Sequence, residues 1–176
     1  MFALFRRRPK LPADRRPALD REERVLAWAS LADSDAVLVV TNRGLWLPGR
    51  DARLGWHDIH KAVWSGTELA VTPAATVEQR DGYRVVADRA VESYRLPDPG
   101  EVPEHVRTRV TGSVAYSLHH QFDAGGVRVV GRRVSGVDGL SWTVRYDPAT
   151  DGDSAEAREL TAALVAQARG TADPTL

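Results

Sequence analysis

The strongest constraint on the fold is a pair of short apolar runs that flank a polar corner. The first run, AVLVVT at 36–41, is rich in β-branched residues and leads into NRG at 42–44. The second run, LWLPG at 45–49, closes with proline and glycine. Two such runs around a short segment with Asn and Gly are typical of a β-hairpin, since both residues tolerate left-handed backbone. We predict a hairpin with Asn42 and Gly44 in its turn.

Patterns typical of strands continue along most of the chain. In LSWTVRY at 140–146, apolar residues alternate with polar ones, so Leu140, Trp142, Val144 and Tyr146 are predicted to share an inward face. The segment 21–32 is ambiguous, because its charges and alanines suit a helix while its apolar residues alternate; the strands that follow favour a strand from about Arg24. The other predicted strands are 59–64, 68–72, 83–87, 91–96, 113–120 and 126–134.

Two segments have helical spacing instead. Val102, Val106 and Val110 recur every four residues and predict a short helix over 103–111 that ends at Gly112. The segment 153–170 starts with cap-forming residues and ends at a glycine, which predicts an amphipathic helix. Its apolar stripe consists of Leu160, Leu164 and Ala168.

The order of these elements predicts a mostly β protein with accessory helices. Strands and helices do not alternate one by one, which disfavours parallel α/β folds. We expect a bent, partly open antiparallel β-barrel or sandwich, with the C-terminal helix covering one end or seam. The predicted organisation is a flexible, basic, proline-rich arm over 1–20, a single domain over 21–170 and a disordered tail over 171–176.

Composition excludes several classes of function. The chain of 176 residues has 24 basic and 24 acidic residues, so no overall field favours nucleic acid, and we expect no nucleic-acid partner. It has no cysteine, which excludes disulfides, thiol nucleophiles and thiolate metal sites, and no cofactor is expected. No apolar run approaches the ~18 to 20 residues of a membrane-spanning helix, and the composition predicts a cytoplasmic protein.

Three consecutive segments carry a family resemblance. ERVLAWA, VVTNRGLWLPG and LGWHDIHKAVWSGTELAVT resemble the bacterial PH-like and GRAM-like domains, and the whole chain is similar to actinobacterial proteins of unknown function. The specific match covers about residues 23–72. The matching residues are Thr41, Asn42, Arg43, Gly44, Leu45, Trp56 and Ile59.

The resemblance implies a PH-like barrel of about seven antiparallel strands with a C-terminal helix. The helix predicted over 103–111 is not a standard element of these domains. PH-like barrels bind phosphoinositides, peptides or proteins, so the fold alone does not fix a ligand. At the first hairpin this chain has only Arg43, which is too little for a phosphoinositide site.

The leading functional prediction is a non-enzymatic binding or scaffold domain with a protein partner. Leu45 and Leu47 can fill the core, which leaves Trp46 pointing outward beside Arg43 on the hairpin. A tryptophan exposed on a β-hairpin is typical of a partner surface. We therefore predict that Trp46 and Arg43 contribute to such a surface.

The alternative is a small-molecule-binding protein or hydrolase with a histidine-containing pocket. Its candidate residues are His57, Asp58, His60, His119 and His120. On a strand, neighbours and residues three apart face opposite sides, so these side chains are not expected to share a metal ion. A pocket above ~300 Å³ lined by two or more of the histidines would favour this alternative.

The N-terminal arm suggests a second kind of contact. Apolar side chains beside arginines are typical of a segment that touches an anionic membrane, which would place the protein peripherally at the inner membrane surface. The competing interpretation is a basic tail without a partner. The predicted membrane-contact residues are Phe2, Leu4, Phe5, Arg6, Arg7 and Arg8.

Overall fold

The structure is a computed structural model that describes residues 10–172. Strands account for 42% of it and helices for 22%. The strands are β1 Val25–Ser30, β2 Val37–Thr41, β3 Gly44–Trp46, β4 Leu54–Gly55, β5 Ile59–Trp64, β6 Glu68–Arg80, β7 Tyr83–Asp88, β8 Glu92–Arg95, β9 Val114–Gln121, β10 Gly126–Arg133 and β11 Leu140–Tyr146. The helices are α1 Val102–Ser113 and α2 Ala155–Ala172, with 3₁₀ turns at Ala13–Arg15 and Trp56–Asp58. The predicted mostly β class with two helices is confirmed.

The strands form two sheets. One contains β1-β2-β3-β4, and the other has the order β5-β6-β7-β11-β10-β9, with β8 also paired to β6, and curls into a half-barrel. The long β6 joins the parts of this second sheet: its start pairs with β5 and β8, and the portion after Pro73 pairs with β7. The short strands β7 and β8 therefore both pair with β6.

One strand pair departs from the antiparallel expectation. Strand β11 runs parallel to β7, with Thr143 opposite Arg84 and Val144 opposite Val85. A parallel pair needs a long crossover, and here β8, α1, β9 and β10 intervene between the two strands. The single parallel contact joins the second half of the chain to the first.

The predicted hairpin is confirmed, but its turn chemistry is different. All described residues with positive φ are glycines, and Gly44 is not among them. The Thr41 hydroxyl oxygen instead accepts hydrogen bonds from the backbone N–H groups of Arg43 and Gly44, both at 3.1 Å. Gly44 is needed for space, because an added Cβ would lie 2.5 Å from the Leu54 carbonyl oxygen.

Two hydrophobic cores hold the structure together. The first lies among β1–β5, the start of β6 and α1, and includes Leu38, Leu45, Ile59, Leu69 and Val106. The second lies between α2 and one face of the strands β7, β9, β10 and β11. Its members include Val85, Val127, Val129, Trp142, Val144, Leu164 and Ala168.

The predicted inward stripe of β11 is confirmed. Trp142 and Val144 are buried, and Leu140 and Tyr146 pack against the second core as half-buried residues. Thr143 points to the other face of the sheet, yet it is also buried. The sheet is therefore covered on both faces at this position, and the second face leads to the candidate site.

Both predicted helices are present, with different ends. Helix α1 continues one residue past Gly112, and α2 continues through Gly170 to Ala172. Leu164 and Ala168 of α2 are buried, while Leu160 is half-buried. The predicted docking stripe of α2 thus contacts the second core.

The proposed membrane-contact residues, Phe2 to Arg8, lie outside the described residues. Among residues 10–172, no helix is long and apolar enough to cross a membrane. The membrane hypothesis for the arm stays a prediction.

Candidate functional site: a basic pocket

Arginines occupy the face of β10 and β11 that points away from α2. Val127 and Val129 turn into the second core, so the alternating positions Arg128 and Arg132 lie on the opposite face. Arg145 of β11 lies directly opposite Arg128 in the strand register. The alternation that builds the core therefore also builds a basic surface.

These arginines line a concavity of about 100 Å³, which we call the basic pocket. His60 reaches it from β5, at the far edge of the half-barrel sheet. The remaining lining is apolar apart from the Thr143 hydroxyl. The lining residues are His60, Val86, Arg128, Val130, Arg132, Thr143 and Arg145.

Two aspartates neutralise part of the charge around the pocket. Asp88 Oδ1 lies 2.5 Å from His60 Nδ1 and accepts a hydrogen bond of 2.8 Å from Arg145 Nη1. Asp58 Oδ1 accepts a hydrogen bond of 3.2 Å from Arg84 Nη2, next to the pocket. Hydrogen bonds from His60 and Arg145 outweigh burial and hold the pKa of Asp88 below its usual value, so this carboxylate is ionised at neutral pH.

Arg132 is the buried cation of the pocket, with 8% of its surface exposed. Its Nη1 donates a 2.8 Å hydrogen bond to Ser113 Oγ at the end of α1, and it forms no ion pair with a described carboxylate. Burial lowers its pKa, a shift that the charge of Asp58 opposes. Its other guanidinium nitrogens have no hydrogen bond to a described residue, and none of them is fully buried.

Two arginines lie directly opposite each other at the pocket, and one of them, Arg128, is exposed to solvent. Arg128 faces Arg145 across neighbouring strands, and like charges in directly opposed positions destabilise a sheet. The side chain of Arg128 has no hydrogen bond or ion pair with another described residue. Asp58 and Asp88 together offset two of the four arginine charges around the pocket, those of Arg84, Arg128, Arg132 and Arg145, which leaves two positive charges in excess. The site therefore presents two positive charges that an anionic ligand can neutralise.

The histidine at the pocket is neutral at pH 7. Burial lowers the pKa of His60, and its hydrogen bond to Asp88 only partly offsets that effect. Arg145 and Arg132 lower this pKa further. Because Nδ1 faces the carboxylate, Nδ1 holds the proton in the neutral form, and Nε2 gains a proton only when His60 becomes charged.

Four of the predicted site residues line a different pocket of about 460 Å³. Arg43, Trp46, His57 and Asp58 all border it, so the hairpin surface and the histidine corner, predicted separately, are neighbours. Trp46 is half-buried rather than outward, and its indole N–H donates a 3.0 Å hydrogen bond to Glu23. The prediction of an exposed tryptophan is therefore wrong, because the ring satisfies a buried carboxylate.

The other predicted histidines are dispersed. His60 and His57 line different pockets, and neither pocket contains a second histidine. His119 and His120 diverge along β9: Nε2 of His119 lies 2.9 Å from Asp147 Oδ2, while His120 packs edge-on against Phe122. Within residues 10–172, no group of three His, Asp or Glu side chains could hold a metal ion.

The arginines of the basic pocket were not among the residues predicted from the sequence. The signal was present in GVRVVGRRV, where Arg128 and Arg132 occupy the polar positions of a strand whose other face is apolar. Arg145 occupies the corresponding position of the next strand. The like-charge pairing follows only from the register, which the sequence does not specify.

A scan against protein-family models, a search of curated proteins and a search of solved structures found no match to this chain.

Proposed function

We propose that this protein is a non-enzymatic PH-like binding domain that holds an acidic segment of a protein partner at the basic pocket. The observation that carries the proposal is a pair of arginines that form no ion pair with a described carboxylate: Arg128, exposed opposite Arg145, and the buried Arg132. Burying a guanidinium without a carboxylate costs free energy, which an incoming carboxylate or other oxyanion repays. A binding site is the simplest reason for such an arrangement.

The first half of the chain supports the PH-like part of the proposal. Strands β1–β4 form one sheet, β5, β8 and the start of β6 lie together in the other, and α1 follows them. These elements share the first core, in which Val102 and Val106 of α1 pack with the strands. Seven strands are the number that the resemblance implies, while α1 is the additional helix that is not a standard element of these domains.

The chemistry around the pocket favours binding over catalysis. The Thr143 hydroxyl is the only nucleophile type that lines it, and this group donates a long 3.5 Å hydrogen bond to the Val130 carbonyl oxygen. His60 uses Nδ1 for Asp88, and no serine lines the pocket with it. The alternative of a hydrolase with a histidine pocket has no comparable support.

Titration with an acidic peptide tests the proposal. Fluorescently labelled hexaglutamate should bind the protein at low salt, and the affinity should fall as salt screens the charges. Arg128→Gln should weaken binding about tenfold, because it removes a charge-assisted contact. Arg133→Gln is the matched control: Arg133 is exposed, lies on the same strand and is absent from the pocket lining. Equal losses in both variants, or no binding at low salt, would refute the proposal.

A further inference from the structure

We infer that the acidic group held in the basic pocket is a phosphate monoester on a side chain of the partner, rather than a carboxylate. The inference rests on the proposed function and adds the chemical class of the ligand. Three features of the pocket support it: the number of uncompensated charges, the size of the concavity and the number of free donors.

The charge around the pocket matches a dianion. Asp88 and Asp58 together offset two of the four arginine charges around it. Two positive charges remain in excess, and His60 is neutral at pH 7. One carboxylate would neutralise a single positive charge, whereas a phosphate monoester carries about −1.5 to −2 at pH 7.

The free donors outnumber what one carboxylate can use. The exposed side chain of Arg128 makes no hydrogen bond with a described residue, so its guanidinium is available. Among the described residues, Arg132 bonds only Ser113, through Nη1, and none of its other guanidinium nitrogens is fully buried. The three terminal oxygens of a phosphate monoester can accept bonds from both guanidinium groups at once, and Arg–phosphate pairs are often bidentate.

The size of the pocket favours a single phosphoryl group. Its volume of about 100 Å³ is small, and valines at positions 86 and 130 form part of its wall. A ring that carries several phosphates would not enter such a concavity, while a phosphoryl group at the end of a flexible side chain can. We therefore assign the ligand to a phosphorylated protein segment and treat free phosphate and membrane lipids as outcomes to be separated by experiment.

The test compares peptides that differ in one group. A short alanine–glycine peptide with a central phosphoserine is titrated into the full-length protein by calorimetry, beside the same peptide with glutamate or serine at that position. Inorganic phosphate is titrated alone, and vesicles with anionic phospholipids are tested by cosedimentation. The phosphoserine peptide should bind at least about tenfold more tightly than the glutamate peptide. Arg128→Gln should remove most of this preference, and Arg133→Gln should retain it.

Each outcome has a distinct meaning. A higher affinity for the phosphoserine peptide than for inorganic phosphate supports a phosphorylated partner. Equal affinities for the two would retain the oxyanion site but overturn the assignment to a partner side chain. Equal binding of the phosphoserine and glutamate peptides overturns the phosphate inference and leaves the proposed function standing. Pelleting with vesicles without peptide binding overturns the inference in favour of a membrane. If no anion binds, both proposals fail.

Discussion

Replacing the buried carboxylate of Glu23 should destabilise the first half of the fold. The side chain is fully buried. Its Oε1 accepts bonds from Thr41 Oγ1 at 2.6 Å and Trp46 Nε1 at 3.0 Å, and its Oε2 accepts bonds from the backbone N–H of Asp20 at 3.2 Å and from Arg53 Nη1 at 3.1 Å. In Glu23→Gln the side-chain amide has one accepting oxygen, and its NH₂ group takes the place of the other. Whichever way the amide is turned, the NH₂ group faces groups that donate hydrogen bonds to Glu23 in the wild type. We expect a loss of about 2–4 kcal/mol from an unsatisfied buried donor and a lost ion pair.

The neighbouring residue provides a matched control. The side chain of Glu22 is 80% exposed, and among the described residues it pairs only with the Arg43 guanidinium, so Glu22→Gln should change the free energy of unfolding by less than about 1 kcal/mol. Urea denaturation followed by tryptophan fluorescence measures both variants. With a slope of about 2 kcal/mol/M, the Glu23→Gln midpoint should fall by about 1–2 M. If the two variants had the same midpoint, the hydrogen-bond network around Glu23 would not contribute to stability.

Two further predictions concern the second core and the pH dependence of stability. Trp142→Ala removes a buried ring whose centroid lies 5.5 Å from that of Tyr116. In urea denaturation this variant should lose about 3–5 kcal/mol of unfolding free energy, whereas Thr143→Ala should lose about 1 kcal/mol. Equal midpoints for the two variants would contradict the orientation of β11. Burial lowers the pKa of His57 and His60 below 6.5 in the folded state, so the unfolded state binds more protons as pH falls through 6.5. The free energy of unfolding should therefore be highest above pH 6.5 and decrease towards pH 5. The double variant His57→Gln/His60→Gln should lose much of this pH dependence. An unchanged pH profile in the double variant would show that other groups cause the decrease.

Local sequence patterns predicted most of the secondary structure. The alternation of apolar and polar residues in LSWTVRY identifies a strand with one buried face, and Val102 and Val106 identify a helix, because both periods are properties of the isolated element. The pairing of these elements was less accessible. The parallel contact between β11 and β7, and the role of β6 in joining both parts of the half-barrel, depend on contacts that are distant in sequence.

The candidate site was the least predictable part. The residues predicted for the site were histidines and Trp46, since histidines and exposed tryptophans often carry function. The structure places Trp46 against Glu23, and His119 and His120 on opposite faces of β9. The basic pocket depends on the register of β10 and β11 and on the curl that brings His60 to Arg132, and neither is encoded in a local pattern.

The most direct test of the central claim is to observe which arginines respond to an acidic ligand. Arginine Nε–Hε signals in ¹⁵N–¹H NMR spectra can be followed while hexaglutamate is added at low salt. We predict saturable shifts for Arg128, Arg132 and Arg145, with Arg107 and Arg158, which pair with glutamates elsewhere on the surface, unchanged. Shifts confined to Arg107 and Arg158, with the three pocket arginines unchanged, would contradict the assignment of the basic pocket as the binding site.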